Sequence, residues 1–293
     1  MRLRYLLFAI ILLVLVSYGC SQSEQKSDGK IRIVTTTYPL YEFAKEIVRD
    51  KAEVSLLIPA GAEPHNFEPK PSDISRLRNA DIFVFTSENF ETWKNDLLEG
   101  VDNKKLITID ASKFSDLIKN DPHLWLDFEN DQKIVNGIAS ALVKMDSANS
   151  DFYLGNAENY KKKLESLDEK FSSGLKNCRQ KKFITNHDAF GYLARRYNIE
   201  QIPVYGISPE TEPSPKKVKE IVDVLAQNKI KYIFFEELLN PKVTETIAKE
   251  AGAGVLILND APNLTPKQIQ EGKSFISVME ENLANLKKGL ECT

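Results

Sequence analysis

Short apolar runs rich in β-branched residues alternate with helix-length amphipathic stretches along this chain, and that alternation limits its fold more than any single motif does. Before residue 150 the runs are IRIVTT (31–36), EVSLLIP (53–59), ADIFVFT (80–86) and KKLITID (104–110). After residue 175 they are KKFITN (181–186), IEQIPVYGI (199–207), KYIFFEE (231–237) and GVLILND (254–260). Between them, Leu40, Phe43, Ile47 and Val48 share one helical face, Ser72 is placed to cap a helix through SDISRLRNA, and Ser214 precedes a proline at the favoured first helical position. Val218, Ile221, Val222 and Leu225 form the buried stripe of that helix, Gly252 stops the next, and a last helix is expected over 272–290. Strands separated by helical segments build parallel sheets from βα units, so the expected class is α/β.

The alternation breaks once. From 150 to 175, Tyr153, Ala157, Tyr160, Leu164, Leu167, Phe171 and Leu175 recur at spacings of three and four among Lys, Glu, Asn and Asp. This is the stripe of one long amphipathic helix. A coiled coil is the competing reading, but strands resume on both sides, which favours a helix joining two α/β lobes. The expected organisation is a signal peptide over 1–20, a flexible tether over 21–29, an N-terminal lobe over 30–146, the linking helix over 147–177 and a C-terminal lobe over 178–293.

The first twenty residues, MRLRYLLFAIILLVLVSYGC, carry two arginines, an apolar run and small residues ending at Cys20. This pattern reads as a secretory signal. A membrane helix is the alternative, although the run is short for a span of about 20 apolar residues. The ending YGC resembles a lipobox with Cys20 as the lipidated residue, but Ser17 stands where leucine is usual and Tyr18 is bulky. Either reading tethers the protein to the outer face of the cytoplasmic membrane, in a periplasm or at the cell surface. The polar SQSEQKSDGK that follows suits a tether. A net charge of −3 argues against a nucleic-acid partner. Cys178 and Cys292 are the cysteines left in an exported chain, and a disulfide between them or two free thiols are both open.

The chain has only three histidines, His65 in GAEPHNFEP, His123 in DPHLWLD and His187 in FITNHDAFGYLARRY. Each follows a strand, and ligands of parallel α/β sheets bind beyond the carboxyl ends of strands. Asp260 ends GVLILND, and Glu236 and Glu237 end KYIFFEE, at the same address. A lone histidine at a loop junction is ordinarily a capping or packing residue, and a loop carboxylate is ordinarily solvated. The shared position of all three, with none elsewhere, points instead to a metal site. Three imidazoles and a carboxylate suit a tetrahedral divalent ion, and carboxylate donors move preference toward manganese. Asp260 is the expected fourth ligand, Glu236 the runner-up, and Glu63 a further carboxylate beside His65. A zinc hydrolase would need an open coordination position and a base, for which Glu236 or Glu237 would serve, but no HExxH motif is present. No catalytic residues are assigned.

The motifs GAEPHNFEP, DPHLWLD, NHDAFGYLARRY and GISPETEPSP, in this order, resemble the zinc and manganese solute-binding lipoproteins of bacterial and archaeal ABC importers. The likeness runs over about 31–287, nearly the whole exported chain. It implies a non-enzymatic receptor that captures a divalent metal, Zn2+ ahead of Mn2+, and delivers it to an ABC permease, with the protein a monomer. It also implies two α/β lobes joined by one rigid helix, a metal site in the cleft between them, His65, His123 and His187 as ligands, and an acid such as Asp260 completing the set. Some such lipoproteins resemble adhesins, though nothing in the sequence marks a protein-binding surface. Three departures stand out. Phe128 replaces a usual proline after DPHLWLD. ASKFSDLIKN occupies the place where many zinc members carry a histidine-rich loop. His187 is retained where manganese members often have an acid.

Overall fold

A computed structural model describes residues 29–208 and 213–293. The expected signal peptide, Cys20, nearly all of the expected tether and the PETE of GISPETEPSP lie outside the described residues. Residues Ile31–Thr293 pack as one compact unit, and no helix among the described residues is long and apolar enough to cross a membrane.

The N-terminal half runs β1 (Ile31–Thr35), α1 (Tyr38–Val48), β2 (Ala52–Leu56), α2 (Pro71–Arg78), β3 (Ile82–Phe85), α3 (Lys94–Glu99), β4 (Ile107–Asp110) and α4 (Phe128–Met145). Helix α5 (Ser150–Gly174) follows. The second half runs β5 (Lys182–Thr185), α6 (Gly191–Tyr197), β6 (Glu200–Pro203), α7 (Pro215–Asn228), β7 (Tyr232–Phe235), α8 (Lys242–Ala251), β8 (Gly254–Ile257), α9 (Pro266–Gln270) and α10 (Phe275–Gly289). Both sheets are wholly parallel, ordered β2-β1-β3-β4 and β6-β5-β7-β8. In each half the first strand is interior, and all four carboxyl ends point to one edge. The α/β class and the two lobes read from the alternation are what the chain forms.

Helix α5 buries Tyr153, Ala157, Tyr160, Leu164, Leu167 and Phe171, the stripe its spacing predicts. At 1.5 Å per residue it is about 37 Å long, but it does not stand free. The Tyr160 hydroxyl donates to Glu42 of α1 (2.7 Å), and the other Glu42 oxygen accepts from the backbone N–H of Phe275 in α10 (2.6 Å). The rings of Phe128 and Phe171 lie 5.1 Å apart, those of Phe171 and Tyr197 5.3 Å, and those of Phe43 and Phe275 5.6 Å. One apolar core therefore runs from α1 through the linking helix to α6 and α10. A close-packed core of this kind resists hinge motion, because bending would open voids between aromatic rings.

Arg196 of α6 adds a polar tie. Its guanidinium reaches both carboxylate oxygens of Asp168 in α5 (2.7 and 2.5 Å) and Asp127 at the start of α4 (3.0 Å). The fork geometry of arginine matches such bidentate pairing. Cys178 and Cys292 are joined by a disulfide across a separation of 114 residues.

The structure departs from local expectation in four places. Ser72 does not cap α2; Pro71 occupies the first turn, and Asp73 reaches back to accept from the Lys70 N–H (2.8 Å). The last helix begins at Phe275 with Ser274 as its cap, not at Gly272. Gly272 takes φ +70°, a left-handed conformation suited to glycine, just beyond α9. Helix α9 itself was not expected, although Thr265-Pro266-Lys267-Gln268 is a capping-box sequence, and Gln268 returns a bond to the Thr265 N–H (2.9 Å). In α7 only Ile221 and Leu225 are buried; Val218 and Val222 are half-buried.

Candidate metal centre

Each histidine is presented by a different local device. His65 sits in a 3-10 turn, Pro64–Asn66, whose first N–H groups need acceptors. Glu63 supplies one by accepting from the His65 N–H (3.2 Å). The preceding loop is held from the other lobe. Asn263 donates to the carbonyls of Pro59 (2.6 Å) and Ala62 (2.9 Å), and the Gly61 N–H donates to the Leu264 carbonyl (2.9 Å). Gly61 has φ +80°, so the turn needs glycine there. The His65 and Phe90 rings pack edge to face with their centroids 4.9 Å apart.

His123 is completely buried. Pro122 precedes it, and Leu124–Leu126 forms a 3-10 turn whose three side chains all lie in the core. The Trp125 indole N–H donates to the backbone carbonyl of Asp260 (2.6 Å), tying this turn to the C-terminal lobe. The Leu-Trp-Leu cluster is thus an anchor for the histidine beside it. Asp121 completes the arrangement: its Oδ1 accepts from the His123 N–H (3.0 Å) and lies 2.8 Å from His123 Nδ1. That contact puts the ring proton on Nδ1 and leaves the Nε2 lone pair free.

His187 follows β5. Its carbonyl accepts from the Thr185 hydroxyl and from the Gln201 amide, both at 2.8 Å. Glu236 Oε2 lies 2.7 Å from His187 Nδ1, out of line for a straight hydrogen bond but in close contact with that edge of the ring. Asp260 approaches the other side of the ring, with Oδ2 4.0 Å from Nε2.

These devices bring three Nε2 atoms together. Those of His65 and His123 are 3.2 Å apart, and those of His123 and His187 are 3.4 Å apart. Donors of a tetrahedral ion with bonds of 2.0–2.1 Å are separated by about 3.3–3.4 Å. The ring nitrogens stand at that spacing. His65, His123 and His187 form one group of potential donors, and His187, Glu236 and Asp260 form a second that shares His187.

The electrostatics suit a cation. Burial, with the two neighbouring rings, pushes His65 down to about 2. Burial also holds His123 well below the usual imidazole range and lowers His187, against the pull of Asp260 and Glu63. The rings are therefore neutral at pH 7, as metal donors must be. Burial raises Glu236 and Asp260 well above the usual carboxylate range, and for Asp260 the nearness of Glu236 adds to it. A divalent ion beside this pair would offset both effects.

Of the residues singled out in the sequence, the three histidines, Glu63, Glu236 and Asp260 converge here. Glu237 does not: it is exposed, and it accepts from Asn259 and Gln268 away from the rings. The sequence reading passed over Asp121, although it lies inside the quoted DPHLWLD and stands two residues before the histidine. It also passed over Phe90, Asn263 and Gln201, for which a single sequence carries no local signal.

Comparison with known proteins gives a consistent picture. Residues 33–289 match the family model described as zinc-uptake complex component A, periplasmic. The high-affinity zinc uptake system protein ZnuA of Bacillus subtilis is 36% identical, over 97% of this chain and 97% of its own length. The zinc-binding lipoprotein AdcA of Streptococcus pneumoniae is 38% identical over 98% of this chain, which spans only 60% of that longer relative. Among solved structures, the Zn(II)-bound ZnuA-like domain of the same AdcA is similar with a TM-score of 0.81 and 41% identity, covering 90% of this chain and 100% of that one. The laminin-binding protein Lmb of Streptococcus agalactiae, described as having adhesin and metal-transporting activity, is similar at 0.80 and 36%, covering 89% and 99%.

Proposed function

This chain belongs to the periplasmic zinc-uptake complex component A family, and from that membership we propose that it is the extracytoplasmic receptor that captures Zn2+ and hands it to an ABC permease. It is a receptor, not an enzyme. The observation that carries the site assignment is the spacing of the three imidazole nitrogens, 3.2 and 3.4 Å, close to the edge of a zinc tetrahedron. His65, His123 and His187 are the ligands in this reading, and an imidazole-rich set favours zinc over manganese.

Asp260 is the fourth ligand rather than Glu236, because Asp260 faces the Nε2 side of His187 while Glu236 lies against Nδ1. Glu236 orients the His187 ring, Asp121 orients His123, and Glu63 fixes the turn of His65 through its backbone. Lipidation at Cys20 anchors the receptor to the outer face of the cytoplasmic membrane, where it acts as a monomer.

The test is calorimetric titration of the metal-stripped exported chain with Zn2+ and Mn2+ in parallel. Tight one-to-one binding of zinc, with much weaker binding of manganese, is expected. Preference for manganese would mean that the carboxylates dominate the site, and binding of neither ion would overturn the reading.

A further inference from the structure

Asp121 does not hold its position by itself. Its Oδ1 carries both contacts to His123, while its Oδ2 points across the cleft at the first residue of α6. A methyl group built on Gly191 would stand 2.5 Å from that Oδ2. No real Cβ sits so close to an oxygen, so any side chain at 191 must turn the carboxylate. Turning it about its short side chain carries Oδ1 away from His123.

The next residue of α6 fixes the backbone of the same turn. The Tyr192 hydroxyl accepts from the Ile118 N–H (2.9 Å) and donates to the Asp121 carbonyl (3.2 Å), and the tyrosine ring is fully buried. One C-terminal-lobe element thus touches both the side chain and the main chain of the residue that orients an N-terminal-lobe histidine. The same short helix begins four residues after His187.

We propose that Gly191 and Tyr192 are positioning residues for His123, acting across the cleft through Asp121. Gly191 leaves the space in which the carboxylate lies, and Tyr192 pins the carbonyl behind it. Together they keep the His123 proton on Nδ1 and its Nε2 aimed at the other two rings. They also fix the 118–123 segment relative to α6 and hence to His187, adding to the ties between the lobes that Trp125 and Asn263 make. The proposal rests on the reading of His123 as a metal donor.

The experiment has two readouts on the exported chain. The first is the tautomer of His123 in metal-free protein, measured by long-range proton–nitrogen NMR correlation. The second is Zn2+ affinity by competition with a chelating dye. Gly191→Ala should raise the fraction of His123 protonated on Nε2 and weaken zinc binding by roughly tenfold to a hundredfold, the range for loss of an orienting partner. Tyr192→Phe should do the same to a smaller degree, with little change in melting temperature. Asp121→Ala should weaken zinc at least as much as Gly191→Ala does, and the combined variant should be no weaker than Asp121→Ala alone, because both changes remove the same contact. Additive losses, or an unchanged His123 tautomer in Gly191→Ala, would overturn the proposal. If Gly191→Ala fails to fold, the tautomer in Tyr192→Phe decides the matter. Since the tautomer is read without metal, a protein that did not bind zinc would fail the receptor assignment and leave this measurement intact.

Discussion

In the N-terminal half the strand order β2-β1-β3-β4 ends in two imidazoles, His65 and His123. In the C-terminal half the same order, β6-β5-β7-β8, ends in one imidazole and two carboxyls, Glu236 and Asp260. Equal topology gives equal addresses, because parallel strands place every loop donor at the carboxyl edge. It does not give equal chemistry. The N-terminal half contributes two imidazole rings to the cluster, and the C-terminal half contributes one ring and both carboxyl groups. The halves also differ in covalent support. The disulfide ties the start of the second half to its end, and no cysteine lies between residues 31 and 146.

That last difference gives the largest expected effect. Closing a loop of about a hundred residues stabilises by about 4–5 kcal/mol in the chain-entropy picture. The double variant Cys178→Ala/Cys292→Ala should lose most of this in urea unfolding. Hydrogen exchange should quicken in β5 to β8 and stay near wild type in β1 to β4. Equal loss of protection in both halves would show that the shared core, not the staple, sets the stability of the second half.

The donor comparison comes next. His65→Ala, His123→Ala and His187→Ala should each weaken zinc by more than about a hundredfold, beyond the usual cost of an orienting residue, with circular dichroism unchanged. Wild-type affinity in any one of them would remove that ring from the donor set.

A smaller effect separates the two carboxyls of the second half. Glu236→Gln removes an acceptor from the Nδ1 side of His187 and should cost roughly tenfold in zinc affinity. Asp260→Asn removes charge from the Nε2 side and should cost more. The reverse order would exchange their roles.

The smallest effect concerns the tie between the halves. Burial raises the Asp168 carboxyl, but the hydrogen bonds from Arg196 and Tyr197 and the guanidinium charge outweigh it and hold the group below the usual range. A depressed folded value means that the ionised pair stabilises the fold above the unfolded value, about pH 4. That stability is lost as pH falls through the lower folded value. Asp168→Asn should therefore be less stable than wild type by about 1 kcal/mol at pH 7, and the gap should close below pH 4. A gap that persists in acid would mean that packing, not charge, makes this contact.

How much was legible beforehand follows from the range of each signal. The strands, the long helix and the Ser214 cap were readable because burial period and capping chemistry are written in neighbouring residues. The addresses of His65, His123, His187 and Asp260 were readable for the same reason: a donor after a strand lies at the ligand edge whatever the details. The cap at Ser72 was misread because proline at position 71 and aspartate at 73 compete for the same turn, and helix α9 was missed because five residues carry little period.

The sequence by itself thus determined a doubled βα architecture, its long connecting helix and the ends of strands where donors gather. Only the tertiary structure decided which carboxyl faces Nε2 of His187 and which lies against Nδ1. Only it showed that Trp125 holds the backbone of Asp260, and that Gly191 lies where a side chain would meet the Asp121 carboxylate beside His123. The reason is one of scale. Periodicity fixes which face of an element is buried, whereas a metal site depends on ångström distances between segments far apart in sequence, and those are set by how two packed lobes meet.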